Sequence, residues 1–374
     1  MLSMLKTRPR FVPAALGPCL LAGLLSMGLS LPKPAGAQQF GPLAQASTAP
    51  DQATAESDSD VKKTKSAEGG TFTFEFENDF FSTTDRHFTH GTKLNYVTNE
   101  RAPGINDPIA MAAAYVPFFP KNARARASYS LGQNMYTPSD ITREELLPND
   151  RPYAGWLYAG FGLVAENPEK NRIDNLEIDI GVVGPWSKAD KTQKQWHRWF
   201  DYDDPKGWDN QIKNEPGIII LFERQQRLAK MDLPMGLEWE FVPSFGFAAG
   251  NVMTYASAGA TVRIGDDLSV DYGPPRIRPS MPTGGFLRRH EGFNWYMFAA
   301  LGGRAVARNI FLDGNTFSDS HSVDKRYLVG DLQAGVAVQY ESWRVAYTHI
   351  LRTKEFDSQD TPDRFGALSI SYQF

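Results

Sequence analysis

From Gly70 to Phe374 the chain is a succession of short segments in which apolar residues, many aromatic, alternate with polar ones. Phe72, Phe74 and Phe76 alternate with Thr71, Thr73, Glu75 and Glu77; Leu237, Trp239 and Phe241 alternate with Glu238 and Glu240. Leu368, Ile370, Tyr372 and Phe374 alternate with Ser369, Ser371 and Gln373. A repeat of two is the period of a β-strand, whose successive side chains point to opposite faces. Twelve such segments stand out: 70–80, 87–98, 127–137, 154–166, 173–184, 215–229, 235–248, 253–265, 293–306, 327–340, 342–353 and 363–374. Their apolar face needs lipid or a second sheet, and their polar face needs water or its own kind. A soluble sandwich or barrel meets that demand, and so does a membrane barrel with its apolar face outward. The even count, strands of about ten residues or more, and an aromatic end, Tyr372-Gln373-Phe374, favour the membrane. The expected fold is therefore all-β: a twelve-stranded antiparallel outer-membrane β-barrel over 70–374.

The residues before the barrel read as export machinery. Lys6, Arg8 and Arg10 are followed by a mostly apolar run to Leu31 and by Ala35-Gly36-Ala37, so residues 1–37 are expected to be a signal peptide. Pro13 and Pro18 interrupt that run and argue against a spanning anchor. The single cysteine, Cys19, falls inside it, so the mature chain has neither disulfide nor thiol chemistry. Residues 38–69 are rich in Ala, Ser, Thr, Gln, Asp and Lys, too poor in large apolar residues to bury a core, and are expected to be a disordered leader. Without Lys6, Arg8, Arg10 and Lys33, 35 basic residues face 43 acidic ones, a balance of −8 that argues against a nucleic-acid partner.

Strand parity assigns the loops. With both termini in the periplasm, the connections after odd-numbered strands face the cell exterior, among them 81–86, 138–153 and the long connection after the fifth strand. Inner turns of such barrels are short, yet 99–126 and 266–292 are inner by parity and long. The long outer connection holds Lys191-Thr192-Gln193-Lys194-Gln195-Trp196-His197-Arg198-Trp199, a stretch with no acidic residue, no Gly and no Pro. It reads as a short helix in an extracellular loop. Gln193 and His197, four apart, then share one helical face.

Chemistry-bearing residues cluster at the same end. His197, with an amide beside it, suits general-base work near neutral pH. The first strand ends Asn78-Asp79: alternation carries Asp79 onto the polar, lumenal face and Asn78 onto the apolar one, where an amide needs the rim or a local cleft. Thr89, Gly91, Lys93 and Asn95 share one face of the second strand, expected to be lumenal. Arg151 suits a phosphate or, more commonly, a rim ion pair. Tyr153, Trp156 and Tyr158 suit the aromatic girdle of a membrane protein. Asp201, Asp203 and Asp204 lack the spacing of an EF-hand and read as a solvated acidic loop.

Taken in order, these residues resemble the outer-membrane lipid A 3′-O-deacylases. The resemblance spans roughly Gly70 to Phe374. It is carried by Asn78-Asp79, by Asp85-Arg86 with Phe88-Thr89 and Gly91, by Tyr136-Thr137-Pro138-Ser139, by Asp150-Arg151, by Gln193 and His197, and by Trp208-Asp209-Asn210-Gln211. It implies a calcium-assisted ester hydrolysis that removes the 3′ acyloxyacyl group of lipid A in lipopolysaccharide at the outer leaflet. His197 would be the base on water, with Gln193 beside it, Asn78 and Thr89 in the site, and Asp79 as a calcium ligand. A monomer is expected. Two departures stand out. The family's Lys in the loop after the third strand is missing, Arg143 being the nearest cation, and His90 stands beside Thr89 where a small residue is expected. Two alternatives remain at this point. An outer-membrane phospholipase would need a serine, which His90-Gly91-Thr92 lacks, and a non-catalytic pore or surface-binding barrel would need no site at all.

Overall fold

The computed structural model describes residues 69–82, 87–99, 115, 119, 123–277 and 286–374. The expected signal peptide, the leader up to residue 68, and Asp85-Arg86 lie outside the described residues, as does most of 99–126. The strands are β1 (Thr71–Asn78), β2 (His87–Val97), β3 (Arg124–Thr137), β4 (Ala154–Asn167), β5 (Arg172–Val183), β6 (Glu215–Gln226), β7 (Ala229–Asp232), β8 (Glu238–Gly250), β9 (Met253–Gly265), β10 (Phe293–Asn309), β11 (Leu328–Tyr340), β12 (Trp343–Arg352) and β13 (Asp363–Gln373). Sequence neighbours pair antiparallel, with one exception: β6 pairs β8 directly, from Ile219↔Gly250 to Gln225↔Ser244. The four-residue β7 pairs β8 alone and stands outside the ring. Pairing of β1 with β13, from Thr71↔Gln373 to Asn78↔Gly366, joins the first strand to the last. The result is a closed wall of twelve antiparallel strands, which leaves no sheet edge to aggregate.

The period-two pattern sorts the wall as alternation demands. Phe72, Leu94, Leu131, Phe161, Ile180 and Val336 point outward and are exposed, as an apolar belt requires. The lumenal face is polar, buried and paired. Lys93 Nζ bonds Glu177 Oε1 at 2.9 Å, Arg224 Nε bonds Asp174 Oδ1 at 2.7 Å, and Arg352 Nε bonds Asp331 Oδ1 at 2.8 Å. Removing one member of such a pair strands a buried charge, so each is costly to break. Tyr153, Trp156 and Tyr158 are not a girdle: they are 4%, 2% and 5% exposed, Trp156 and Tyr158 facing the lumen and Tyr153, just before β4, packing on Trp208 at 4.9 Å in the outer loops. Trp156 and Tyr158 stack at 5.5 Å within the largest apolar cluster. Alternation itself explains the correction for Trp156 and Tyr158, because their neighbours Ala159 and Phe161 take the exposed face of β4.

The described parts of the long inner connection, 266–277 and 286–292, fold back into the lumen. Leu268, Val270, Tyr272, Ile277, Phe286 and Leu287 within it are all buried. Asp271 anchors it, bonded by Arg263, by Arg344 at 2.5 Å and by Tyr296 at 2.8 Å. Burial alone would raise the Asp271 carboxyl, but Arg263 and Arg344 hold it below its ordinary value. Arg276 reaches Glu77 at 2.7 Å, next to the far tip of β1. The rule of short inner turns fails here because the segment is an internal plug rather than a turn. The plug passes close to β2 at Gly91: a Cβ there would lie 3.0 Å from Ile277 Cδ1. The space left is small. Cavities lined by lumenal side chains, one by Lys93, Asn134 and Tyr158 and one by Glu223, Arg304 and Asp331, measure about 20 Å³ each.

Candidate functional site

At the end of the barrel away from the chain termini, the β5–β6 connection forms α1 (Ala189–Phe200), which covers the expected helix 191–199. It follows a 3₁₀ turn, Pro185–Ser187, and stops where Asp201 takes a left-handed φ of 58°, bonding back to the His197 carbonyl. The helix lies against the outer surface of the wall. Trp196 packs on outward-facing Phe76 at 5.4 Å, and outward-facing Gln133 donates from Nε2 to the Ser187 carbonyl at 2.7 Å. Gly155 of β4 permits the approach: a Cβ there would sit 2.4 Å from the Ala189 Cβ. Between helix and wall lies a cavity of about 330 Å³. Asn78, Asp79, Thr89, Gln193 and His197, the five residues singled out in the sequence, all line it.

Two of them arrive by a route that alternation does not anticipate. Asp79 is not lumenal: β1 ends at Asn78, and Asp79–Ser82 coils into a 3₁₀ turn that sets the carboxylate in the outer cavity. Thr89 is not lumenal either. The β2–β3 register slips between Phe88 and His90, a bulge that leaves Thr89 unpaired and turns it outward beside His90. Its hydroxyl meets the Thr137 hydroxyl at 2.6 Å. Asn78 does face a local cleft, as its place on the apolar side requires.

Hydrogen bonds fix the polarity of each group. His197 Nδ1 lies 2.6 Å from the Asp203 carbonyl oxygen, which can only accept, so the neutral ring carries its proton on Nδ1 and Nε2 is the basic nitrogen. Gln193 Oε1 accepts from Trp208 Nε1 at 2.7 Å; an indole N–H can only donate, so this fixes the amide orientation. The Gln193 Nε2 is buried and makes no hydrogen bond among the described residues, in a residue 2% exposed. A buried donor left unpaired is rare and costly, which marks it as waiting for a ligand. Asn78 Oδ1 accepts the Phe80 N–H at 2.7 Å, which turns its amide nitrogen to His90 Nδ1 at 3.3 Å. His90 then donates from Nε2 to Thr92 Oγ1 at 2.7 Å.

Sequence reading missed five residues that complete the lining: Phe80, His90, Met135, Trp196 and Tyr202. Trp196 and Met135 carry no signal apart from apolar character, which most residues of their kind share. His90 was visible only as an oddity beside Thr89. Trp208, noted merely as part of a motif, proves to be the residue that sets the Gln193 amide. Arg151 does not line this cavity: it is 1% exposed, stacked over the Tyr136 ring at 4.7 Å and paired with Glu355 at 3.4 Å. Arg143 lies in the β3–β4 loop and does not line the cavity. Among the described lining residues there is no serine and no Lys or Arg.

Comparison with known proteins agrees with the architecture. A family model described as outer membrane protein LpxR matches residues 27–374. Among solved structures, LpxR from Salmonella typhimurium superposes with a TM-score of 0.66 at 21% identity, covering 81% of this chain and 100% of that one. That likeness is one of fold. The β domain of the Bordetella autotransporter BrkA is more distant, with a TM-score of 0.41 at 10% identity, over 82% of this chain and 99% of that one. Among curated proteins none matches the chain.

Proposed function

The chain belongs to the outer membrane protein LpxR family, and from that premise we propose that its cavity hydrolyses the ester holding the 3′ acyloxyacyl group of lipid A. One observation carries the reading. His197 and Gln193, one helical turn apart, open on the same cavity with opposite fixed polarities, a basic ring nitrogen and an unpaired amide donor. Ester hydrolysis asks for that pair: a base for water and a donor for the oxyanion. The cavity opens on the membrane side of the wall, where the acyl chains of an amphiphilic substrate lie.

In this mechanism His197 Nε2 takes a proton from water as the oxygen attacks the ester carbonyl. The bond to nitrogen of that proton forms as the C–O bond forms, and the carbonyl electrons move onto its oxygen. Gln193 Nε2–H donates to that oxyanion. As the tetrahedral centre collapses, the sugar oxygen leaves and takes the proton from His197, giving a free 3′-hydroxyl and an acyloxyacyl carboxylic acid, which then loses its proton to water. The Asp203 carbonyl holds the imidazolium in place during the exchange.

The family resemblance also implies calcium. Asp79 offers a carboxylate, and Asn78 Oδ1 and Thr89 Oγ1 are further hard oxygens, each with a second lone pair beyond the bond it already makes. Calcium takes about six to eight oxygen ligands, so this set fits a site completed by backbone carbonyls, water and substrate. The ion, when bound, supplies positive charge beside the developing oxyanion, which matters in a cavity whose described lining has no cation of its own.

The test is direct. The purified full chain is incubated with lipid A and calcium, and the lipid is analysed by mass. The expected product lacks the 3′ acyloxyacyl group, and His197→Ala leaves the lipid intact. A folded wild-type sample that changes no acyl chain overturns the proposal.

A further inference from the structure

The helix that supplies His197 and Gln193 has a second surface that the hydrolysis does not use. At about 100° per residue, Ala189, Gln193 and His197 form the buried face. Lys191, Lys194 and Arg198 fall within about 60° of one another on the exposed side, and all three are solvent-exposed. Trp196, Trp199 and Phe200 fall on the opposite flank, within about 100°. Trp199 and Phe200 are 69% and 53% exposed. That aromatic flank continues the outward apolar row of β1, because Trp196 rests on Phe76 and Phe200 rests on Trp196 at 4.6 Å. Its direction is therefore the direction of the hydrocarbon. The cationic flank, on the other side, points away from it. A helix with one aromatic and one basic flank is built to lie in a membrane interface.

We propose that Lys191, Lys194 and Arg198 form a recognition surface for the phosphate groups of the anionic glycolipid whose ester enters the cavity. The proposal rests on the lipid A reading of that cavity. Charge complementarity identifies the occupant: the chain outside its signal peptide is acidic overall, yet this face carries three cations with one acid, Asp190, at its edge, and none of the three makes an ion pair among the described residues. The cavity itself has no cation among its described lining residues, so phosphate contacts have to come from beside it. The basic flank lies about one helix width, roughly 10–12 Å, from the catalytic face. Trp199 and Phe200 hold the helix at the acyl boundary and so set the height of the phosphates.

The experiment separates binding from hydrolysis. The full chain carrying His197→Ala, in detergent micelles, is titrated with lipid A bearing its phosphates, with the same lipid dephosphorylated, and with phosphatidylcholine. Adding Lys191→Gln, Lys194→Gln and Arg198→Gln is expected to weaken binding of the phosphorylated lipid by about a hundredfold. Binding of the dephosphorylated lipid is expected to be unchanged by the same substitutions. The charge-preserving set Lys191→Arg, Lys194→Arg and Arg198→Lys retains binding, which excludes a folding defect. Equal affinity of the neutralised variant for the phosphorylated lipid overturns the proposal, as does equal weakening for the dephosphorylated one. Binding with this phosphate dependence by a wild type that hydrolyses nothing refutes the hydrolase reading and leaves the surface standing.

Discussion

Gln193→Met keeps a side chain of similar length on the same turn of α1 and removes both amide poles. The acceptor of Trp208 Nε1 is lost, in a tryptophan 2% exposed. A buried donor left unpaired costs about 1–3 kcal/mol, so folded stability falls by that much. The cavity also loses its Nε2 donor, and loss of one oxyanion donor lowers kcat by about 10²–10³. Trp208→Phe separates the two effects. Turning the wild-type amide over would break the 2.7 Å bond and set NH2 against indole N–H. That costs about 1–3 kcal/mol, so the reversed amide is rarer by roughly 5- to 150-fold. With phenylalanine the two orientations become comparable, and the donor is in place about half of the time, which costs only about twofold in kcat. The assay is acyl release from lipid A in mixed micelles at saturating substrate, with thermal unfolding of each variant measured alongside. A Gln193→Met enzyme within about threefold of wild type would remove the oxyanion role from Nε2. A Trp208→Phe enzyme as impaired as Gln193→Met, at equal stability, would mean that Trp208 positions the helix rather than the amide.

Asp271→Ala strands the almost fully buried Arg344, while Arg263 keeps Glu240, and is expected to cost about 3–5 kcal/mol of barrel stability, read as earlier heat unfolding in detergent. Arg289→Ala, which breaks an exposed pair with Glu341, is the control and is expected to leave unfolding unchanged. Chelation of calcium from the purified protein is expected to abolish acyl release, with calcium restoring it and magnesium, which demands tight octahedral geometry, failing to. Asp150 fastens the β3–β4 loop to His87 and Ser139; burial would raise its carboxyl, but those two partners hold it well below its ordinary value. A depressed acid contributes its stabilisation above the unfolded value, about pH 4, and loses it as pH falls through the folded one. Limited proteolysis of that loop is therefore expected to speed up below about pH 4 in wild type, whereas Asp150→Asn cuts faster at neutral pH and shows no such acid step.

The barrel was legible because alternation is local. Glu75 and Glu77 against Phe74 and Phe76 declare two faces without reference to any other strand, and the even count then assigns each connection to an end. The short strand β7 escaped because four residues hold too little period to separate it from its hairpin. The plug escaped for a different reason: Arg276 and Ile277 carry no mark in the sequence that their partner is Glu77, some two hundred positions earlier.

By itself the sequence determined the class of fold, the end at which chemistry collects, and the turn of helix that sets Gln193 beside His197. All of these depend on spacings of two to four residues, which the backbone converts directly into direction. Only the tertiary structure decided which side of the wall the site occupies. A bulge at Thr89 and a 3₁₀ turn at Asp79 reverse faces that alternation assigns to the lumen, and Gly155 lets α1 lie against the outside. It also decided polarity, since the indole of Trp208 and the carbonyl of Asp203 choose which end of an amide and which nitrogen of a ring are left unengaged by those bonds. Those choices come from contacts across the fold, and no local period carries them.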